Sequence, residues 1–149
     1  MKNTTIFKIG AWAPVILGVL HLQGHIVGGE FDVKDASLVQ DMQNYTLQFM
    51  GEHSVLKFYN GFSITMAFFI SAFGIQCLWL AGEILQNKKA HYSSIAITAI
   101  VFILSLKYFP IFVFSTFLFT LACFVIALIK NKNDVQQATK QIELAENDA

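Results

Sequence analysis

The sequence has few charged residues and no arginine. Only 13% of its 149 residues are charged, whereas a soluble domain carries about 25%. Without arginine, the side chain best suited to bidentate contacts with phosphate is missing, which argues weakly against a nucleotide or phosphoryl-transfer site. No basic run with interleaved aromatic residues is present, so we expect no nucleic-acid partner.

Cysteine and catalytic motifs are equally scarce. Cys77 and Cys123 lie inside apolar runs and do not form a metal-type pair in sequence, so we expect two small buried thiols. The sequence does not indicate a Ser-His-Asp or Cys-His set. The sequence therefore favours a non-enzymatic protein over an enzyme.

Apolar residues make up 55% of the chain. A small soluble domain buries only about 60–70% of its surface, so lipid is the simplest environment for the excess. A membrane-spanning helix needs about 20 residues at a rise of 1.5 Å each. The sequence predicts an all-α integral membrane four-helix bundle with spans at 9–27, 58–82, 92–109 and 109–129, and a polar cytoplasmic tail at 131–149.

The third and fourth spans are predicted to form a tight hairpin. Lys107, Tyr108 and Pro110 interrupt the apolar run at its middle. Proline disfavours a helical conformation at the preceding residue. The third span is short, and we expect it to recruit Lys107 and Tyr108 by snorkelling and interface anchoring.

The lysines predict an orientation. With the N-terminus in the cytoplasm, lysines are more numerous on the inner side, and a pair of them lies in the short loop between the second and third spans. Both termini are then cytoplasmic. A cleaved signal peptide is the competing interpretation, because Lys2 and Lys8 precede the first apolar run and Val27-Gly28-Gly29 offers small residues. The inner set is Lys2, Lys8, Lys88, Lys89, Lys130, Lys132 and Lys140, and the outer set is Lys34, Lys57 and Lys107.

The polar segment between the first two spans is predicted to be extracytoplasmic. Asp35 is a suitable helix N-cap. The apolar residues that follow recur at helical spacing, which predicts a short amphipathic helix on the membrane face, ended by Gly51. These residues are Leu38, Met42, Tyr45 and Phe49.

Small and polar residues recur every three or four positions in each span, and we expect these faces to pack against one another. Large aromatic residues lie mostly elsewhere and are expected to contact lipid. This second set comprises Phe68, Phe69, Phe112, Phe119 and Phe124.

Chemistry is concentrated around a histidine pair. His21 and His25 are four residues apart and share one helix face. Ionisable side chains inside a membrane are costly and are candidates for a functional site. We expect further polar groups to reach a similar depth: Gln23, Glu52, His53, Asn60, Ser63 and Lys107.

Four interpretations of the pair remain open. The first is a structural polar network and the second is a pocket for a small apolar or lipid-like ligand in the outer leaflet. The third is a transition-metal site on His21 and His25, completed by Glu30, Asp32, Glu52 or His53. The fourth is haem, for which His53 would supply the second axial ligand, because two histidines on one helix face cannot ligate one iron from opposite sides.

The first part of the chain contains four short motifs: Gly10-Ala11-Trp12, Gly18-Val19-Leu20-His21-Leu22, Gly24-His25 and Gly61-Phe62-Ser63. These motifs look like those of a family of small, uncharacterised bacterial inner-membrane proteins. The resemblance covers about the first half of the chain and implies four spans and the cell inner membrane. The layout is also similar to the DoxX group, some of which are associated with quinone or thiol redox systems, by analogy of fold only.

The first function expected is therefore an accessory subunit or a binder of a small apolar ligand near the histidines. Its expected partners are membrane lipid, such a ligand, and another membrane protein or a second copy of the chain. A redox, metal or haem protein using His21 and His25 is the alternative.

Overall fold

The computed structural model describes residues 3–27, 36–48 and 52–147, and this part of the chain is all-α apart from one short hairpin. The helices are α1 (Asn3–Val27), α2 (Ala36–Asn44), α3 (Val55–Trp79), α4 (Ala81–Gln86), α5 (Lys88–Tyr108) and α6 (Ile111–Asn147). The strands β1 (Thr46–Leu47) and β2 (His53–Ser54) pair antiparallel, with Thr46 opposite Ser54.

Four of these helices are long and apolar enough to cross a membrane. They confirm the predicted all-α architecture and indicate a multi-pass membrane protein. The candidate spans are Asn3–His25, Val55–Trp79, Lys88–Tyr108 and Ile111–Asp134. The first three begin three to six residues before the predicted apolar runs, because the helices continue through polar residues, and the fourth begins two residues after its predicted start.

The chain divides into two compact units. The larger unit comprises Met1–Pro14 and Phe73–Ala149, and the smaller unit comprises Val15–Ala72. The larger unit thus contains the start of α1 and all of α4, α5 and α6. The smaller unit contains the second half of α1, α2, the hairpin and most of α3.

In the larger unit, α5 and α6 form the predicted hairpin. The helix α5 begins earlier than expected, because the Asn87 side chain accepts hydrogen bonds from the backbone N–H groups of Lys89 and Ala90. It ends before Phe109, which is extended (φ −125°, ψ 157°) ahead of Pro110, as the residue before a proline prefers.

The core of the larger unit forms around two stacked rings. Phe7 and Phe124 are fully buried, with ring centroids 4.1 Å apart. Small residues allow the helices to approach: a methyl group on Gly10 would lie 2.6 Å from the Cys123 Cβ. The Thr120 hydroxyl lies 3.1 Å from the Gly10 carbonyl oxygen, which it can reach because glycine adds no side chain there. Both cysteines are free and buried, as expected.

One expectation for this unit is wrong. Phe124 does not face lipid, because its ring fills the space over Phe7; the other four phenylalanines of that set are exposed. The polar segment after residue 130 is helical, because α6 continues without a break to Asn147.

The segment between the first two spans differs partly from its prediction. The helix α2 ends at Asn44, and the chain then turns into the β1–β2 hairpin, where the Val55 N–H donates to the Tyr45 carbonyl oxygen at 3.0 Å. Tyr45 is therefore outside the helix and is exposed. Asp35, Phe49 and Gly51 lie outside the described residues, as does Gly28.

In the smaller unit, α1 and α3 pack closely at Gly18. A methyl group there would lie 2.5 Å from the Ala67 carbonyl oxygen and would also overlap the Ser71 hydroxyl. Only glycine allows this approach of the two backbones, as is common where membrane helices cross. The predicted inward face of small residues is confirmed here, with Gly18, Ser63 and Ala67 buried.

Substituting this glycine tests the packing. We expect Gly18→Ala to destabilise the protein by about 1–3 kcal/mol, because the added methyl group meets backbone and overpacks the interface. Unfolding in mixed detergent micelles with increasing SDS measures the loss. Gly24→Ala is the matched control, since nothing lies within 4 Å of a methyl group there. Equal stability of the two variants would contradict the close approach.

Candidate functional site

The candidate site is a cluster of three side chains in the smaller unit, here called the histidine cluster: His21, His25 and Ser63. The Nε2 atoms of both histidines lie 2.8 Å from the Ser63 Oγ. The rings are nearly perpendicular, at 85°, with centroids 5.3 Å apart. The spacing of four residues places both imidazoles on one face of α1, and Ser63 faces them from α3.

The hydroxyl at the centre limits the protonation of the pair. Ser63 has one proton to donate and two lone pairs that accept. It can therefore donate to only one imidazole, and the other must carry a proton on its own Nε2 and donate to Ser63.

Exposure distinguishes the two histidines. Ser63 is buried and His25 is half-buried, whereas the His21 side chain is exposed. Within the described part of the chain, the His21 Nδ1 has no hydrogen-bond partner. His25 ends the first candidate span, so His21 lies about 6 Å from that end at 1.5 Å per residue. The cluster thus combines an anchored ring with an accessible ring edge close to the end of an apolar span.

The other residues predicted for the site are not part of this cluster. Gln23, Glu52 and His53 are exposed, and Asn60 is half-buried. His53 pairs by its backbone with Leu47 in the short hairpin. Among the described residues, no hydrogen bond joins these four to the cluster.

Lys107, also predicted for the site, belongs to the larger unit. Its Nζ lies 5.3 Å from the centroid of the Tyr108 ring on the same helix. This arrangement is typical of a lysine that anchors the end of a span.

The described residues do not assemble a metal site. No group of three or more His, Cys, Asp or Glu side chains able to hold a metal ion occurs among them. The point at which both Nε2 atoms converge is occupied by the Ser63 hydroxyl. His53, the expected second haem ligand, is exposed in β2, and Glu30 and Asp32 lie outside the described residues.

Sequence reasoning missed a second polar site, at His91. This residue is fully buried in the larger unit. Its Nε2 donates to the Phe124 carbonyl oxygen at 3.1 Å. Its ring is nearly perpendicular to the Phe7 ring, with centroids 5.5 Å apart. Its Nδ1 has no hydrogen-bond partner in the described structure. The spacing of His91, Ser94 and Thr98 on one buried face is the signal that could have identified it.

Comparison of the chain with protein-family models, with curated proteins and with solved structures finds no match. The chemistry of the protein must therefore be argued from its own geometry.

The tautomers of the histidine cluster are directly measurable. We expect ¹⁵N NMR of labelled protein to show at least one of the two rings protonated on Nε2, because Ser63 supplies a single proton. Ser63→Ala should shift the ring nitrogen signals of both histidines. Ser115→Ala is the control, since that hydroxyl bonds only to the Ile111 carbonyl of its own helix. Unchanged signals in Ser63→Ala would contradict the shared hydroxyl.

Proposed function

We propose that this protein is a non-enzymatic, multi-pass membrane protein whose histidine cluster binds the polar group of a small amphipathic ligand. The observation that carries the proposal is the combination at His21 of an exposed ring and a fixed orientation. A polar ring on the apolar surface of a spanning helix is costly unless another polar group covers it. Its bond to Ser63 leaves Nδ1 as the remaining nitrogen of this exposed ring.

The proton count at Ser63 constrains the chemistry of the ligand. At least one ring holds its proton on Nε2, and we assign this proton to His21, whose neutral ring then presents Nδ1 as a hydrogen-bond acceptor. A ligand that supplies a hydroxyl or N–H group satisfies that acceptor. The surroundings supply an apolar body: Leu20 and Phe62 are 58% and 59% exposed beside the cluster in sequence. A neutral lipid-like molecule with one polar end therefore fits this site.

The same accessible ring also suits an accessory subunit. A polar side chain from a partner membrane helix, or from a second copy of the chain, satisfies the acceptor in the same way.

A metal site is the second candidate, favoured by the convergence of two Nε2 atoms on one point. It requires the metal to displace the Ser63 hydroxyl and to take further ligands from the segment containing Glu30 and Asp32.

The location that we propose is the cell inner membrane, with both termini cytoplasmic. The excess of lysines on one side supports it, because cytoplasmic loops carry more positive charge. In this orientation the histidine cluster lies in the outer leaflet, near the boundary between headgroups and acyl chains. A polar ligand group bound there can remain at headgroup depth while its apolar part lies in the hydrocarbon.

Ligand retention tests the proposed function. Protein purified in mild detergent is expected to carry a stoichiometric small amphipathic molecule that extraction and mass spectrometry identify. His21→Leu should lower its occupancy by about fivefold or more, the value of one lost hydrogen bond. His53→Leu, which removes an exposed histidine outside the cluster, is the control.

The possible results separate the candidates. If elemental analysis finds stoichiometric metal in the wild type and none in His21→Leu, the cluster binds a metal ion and not an amphipathic ligand. A ligand held equally by wild type and His21→Leu would contradict the role of the cluster. A protein free of small molecules that copurifies with a protein partner only when His21 is present would favour the accessory role.

The proposed topology has its own test. We expect green fluorescent protein fused after Ala149 to fluoresce and alkaline phosphatase fused there to be inactive, because the former folds in the cytoplasm and the latter matures outside it. Fusions after Lys107, in the predicted outer loop, should give the reverse pattern. Active phosphatase at the C-terminus would contradict the orientation.

A further inference from the structure

The larger unit contains an open cavity remote in sequence from the histidine cluster. Its volume is about 540 Å³, within the range of about 300–1,000 Å³ that ligand pockets occupy. Its lining comes from the starts of α1 and α5, from α4, which includes the polar Gln86, and from α6. The residues that define its chemistry are Asn3, Lys88, Asn131 and Asp134.

Two amides on the wall of this cavity are held in one orientation. The Asn3 Nδ2 donates to the Asp134 Oδ2 at 2.9 Å. An ionised carboxylate only accepts, so the amide nitrogen must face it. The same Nδ2 lies 3.5 Å from the Asn131 Oδ1, and the Asn131 Nδ2 donates to the Leu85 carbonyl oxygen at 2.8 Å. The network positions the Asp134 carboxylate and leaves the Asn3 Oδ1 without a donor among the described residues.

The charges of the cavity are not neutralised by each other. Lys88 supplies an ammonium group and Asp134 a carboxylate, yet no ion pair joins them in the described structure. A single bound anion or cation would satisfy only one of the two. A ligand that carries both charges can satisfy both at once.

The position of the cavity matches the headgroup layer. Asn3 begins the first candidate span, Lys88 begins the third, and Asp134 ends the fourth. Ends of membrane spans lie at the level of lipid headgroups. At the same end of α6, the Lys132 Nζ lies 5.8 Å from the centroid of the Tyr92 ring, as in the lysine and tyrosine anchors of a membrane interface.

We infer that this cavity binds an ammonium–phosphate zwitterion, the chemistry of a phosphoethanolamine headgroup. Asp134 accepts from the primary ammonium group, and Lys88 donates to the phosphate. A choline headgroup has no N–H to donate, and a glycerol headgroup has no cation. The site therefore selects phosphatidylethanolamine over phosphatidylcholine and phosphatidylglycerol. The inference does not depend on the histidine cluster.

Native mass spectrometry of the full-length protein tests the selectivity. Delipidated protein is titrated with short-chain phosphatidylethanolamine, phosphatidylcholine and phosphatidylglycerol, and separately with free O-phosphoethanolamine. We expect phosphatidylethanolamine to bind at least about fivefold more tightly than the other two lipids, the value of one charge-assisted hydrogen bond. If free O-phosphoethanolamine binds, the headgroup alone is sufficient for recognition. If the diacyl lipid binds and free O-phosphoethanolamine does not, the ligand is a lipid of the bilayer.

Two charge-removing variants locate the site. Asp134→Asn should abolish the preference over phosphatidylcholine, and its amide oxygen still accepts from Asn3, so the network and the fold are kept. Lys88→Gln should weaken phosphatidylethanolamine and phosphatidylcholine alike. Glu83→Gln and Lys89→Gln are the controls, because both residues are exposed at this end and neither lines the cavity. Equal affinity for all three lipids in wild type, or an unchanged preference in Asp134→Asn, would overturn the inference.

Discussion

The account of this protein depends on one constraint: a polar side chain placed among hydrocarbon needs a partner supplied by the chain or by a ligand. Ser63 meets this need for two imidazoles at once, with both Nε2 atoms 2.8 Å from its hydroxyl. Because that hydroxyl has a single proton, at least one of the two Nε2 atoms must donate to it. The exposed ring of His21 is what remains to be satisfied, and it is the basis of the proposed function.

Packing makes this interaction possible. The backbones of α1 and α3 approach at Gly18, three residues before His21, where no larger residue fits against Ala67. That approach brings the face of α1 carrying the histidines within hydrogen-bonding distance of α3. The larger unit contains a similar close approach, because the absence of a side chain at Gly10 allows the Thr120 hydroxyl to reach the Gly10 carbonyl oxygen. Small residues therefore determine where polar groups can meet, and the polar groups then add direction to the contact.

The sequence predicted the features that depend on local pattern. The spans follow from runs of apolar residues, the break at Phe109 from Pro110, and the shared face of the histidines from their spacing. Ser63 was among the expected partners, but the sequence did not separate it from Asn60 or Gln23, because the rotation of α3 is set by packing at Ala67. The burial of Phe124 and His91 likewise depends on contacts with Phe7, distant in sequence.

The coupling between His25 and Ser63 tests the central claim most directly. A double-mutant cycle with His25→Leu and Ser63→Ala, measured by unfolding in SDS, isolates their interaction from the effects of each substitution alone. The account predicts a coupling free energy of about 0.6–1.7 kcal/mol, as for hydrogen bonds between membrane helices. Additive effects, with a coupling below about 0.3 kcal/mol, would show that the hydroxyl does not anchor the ring.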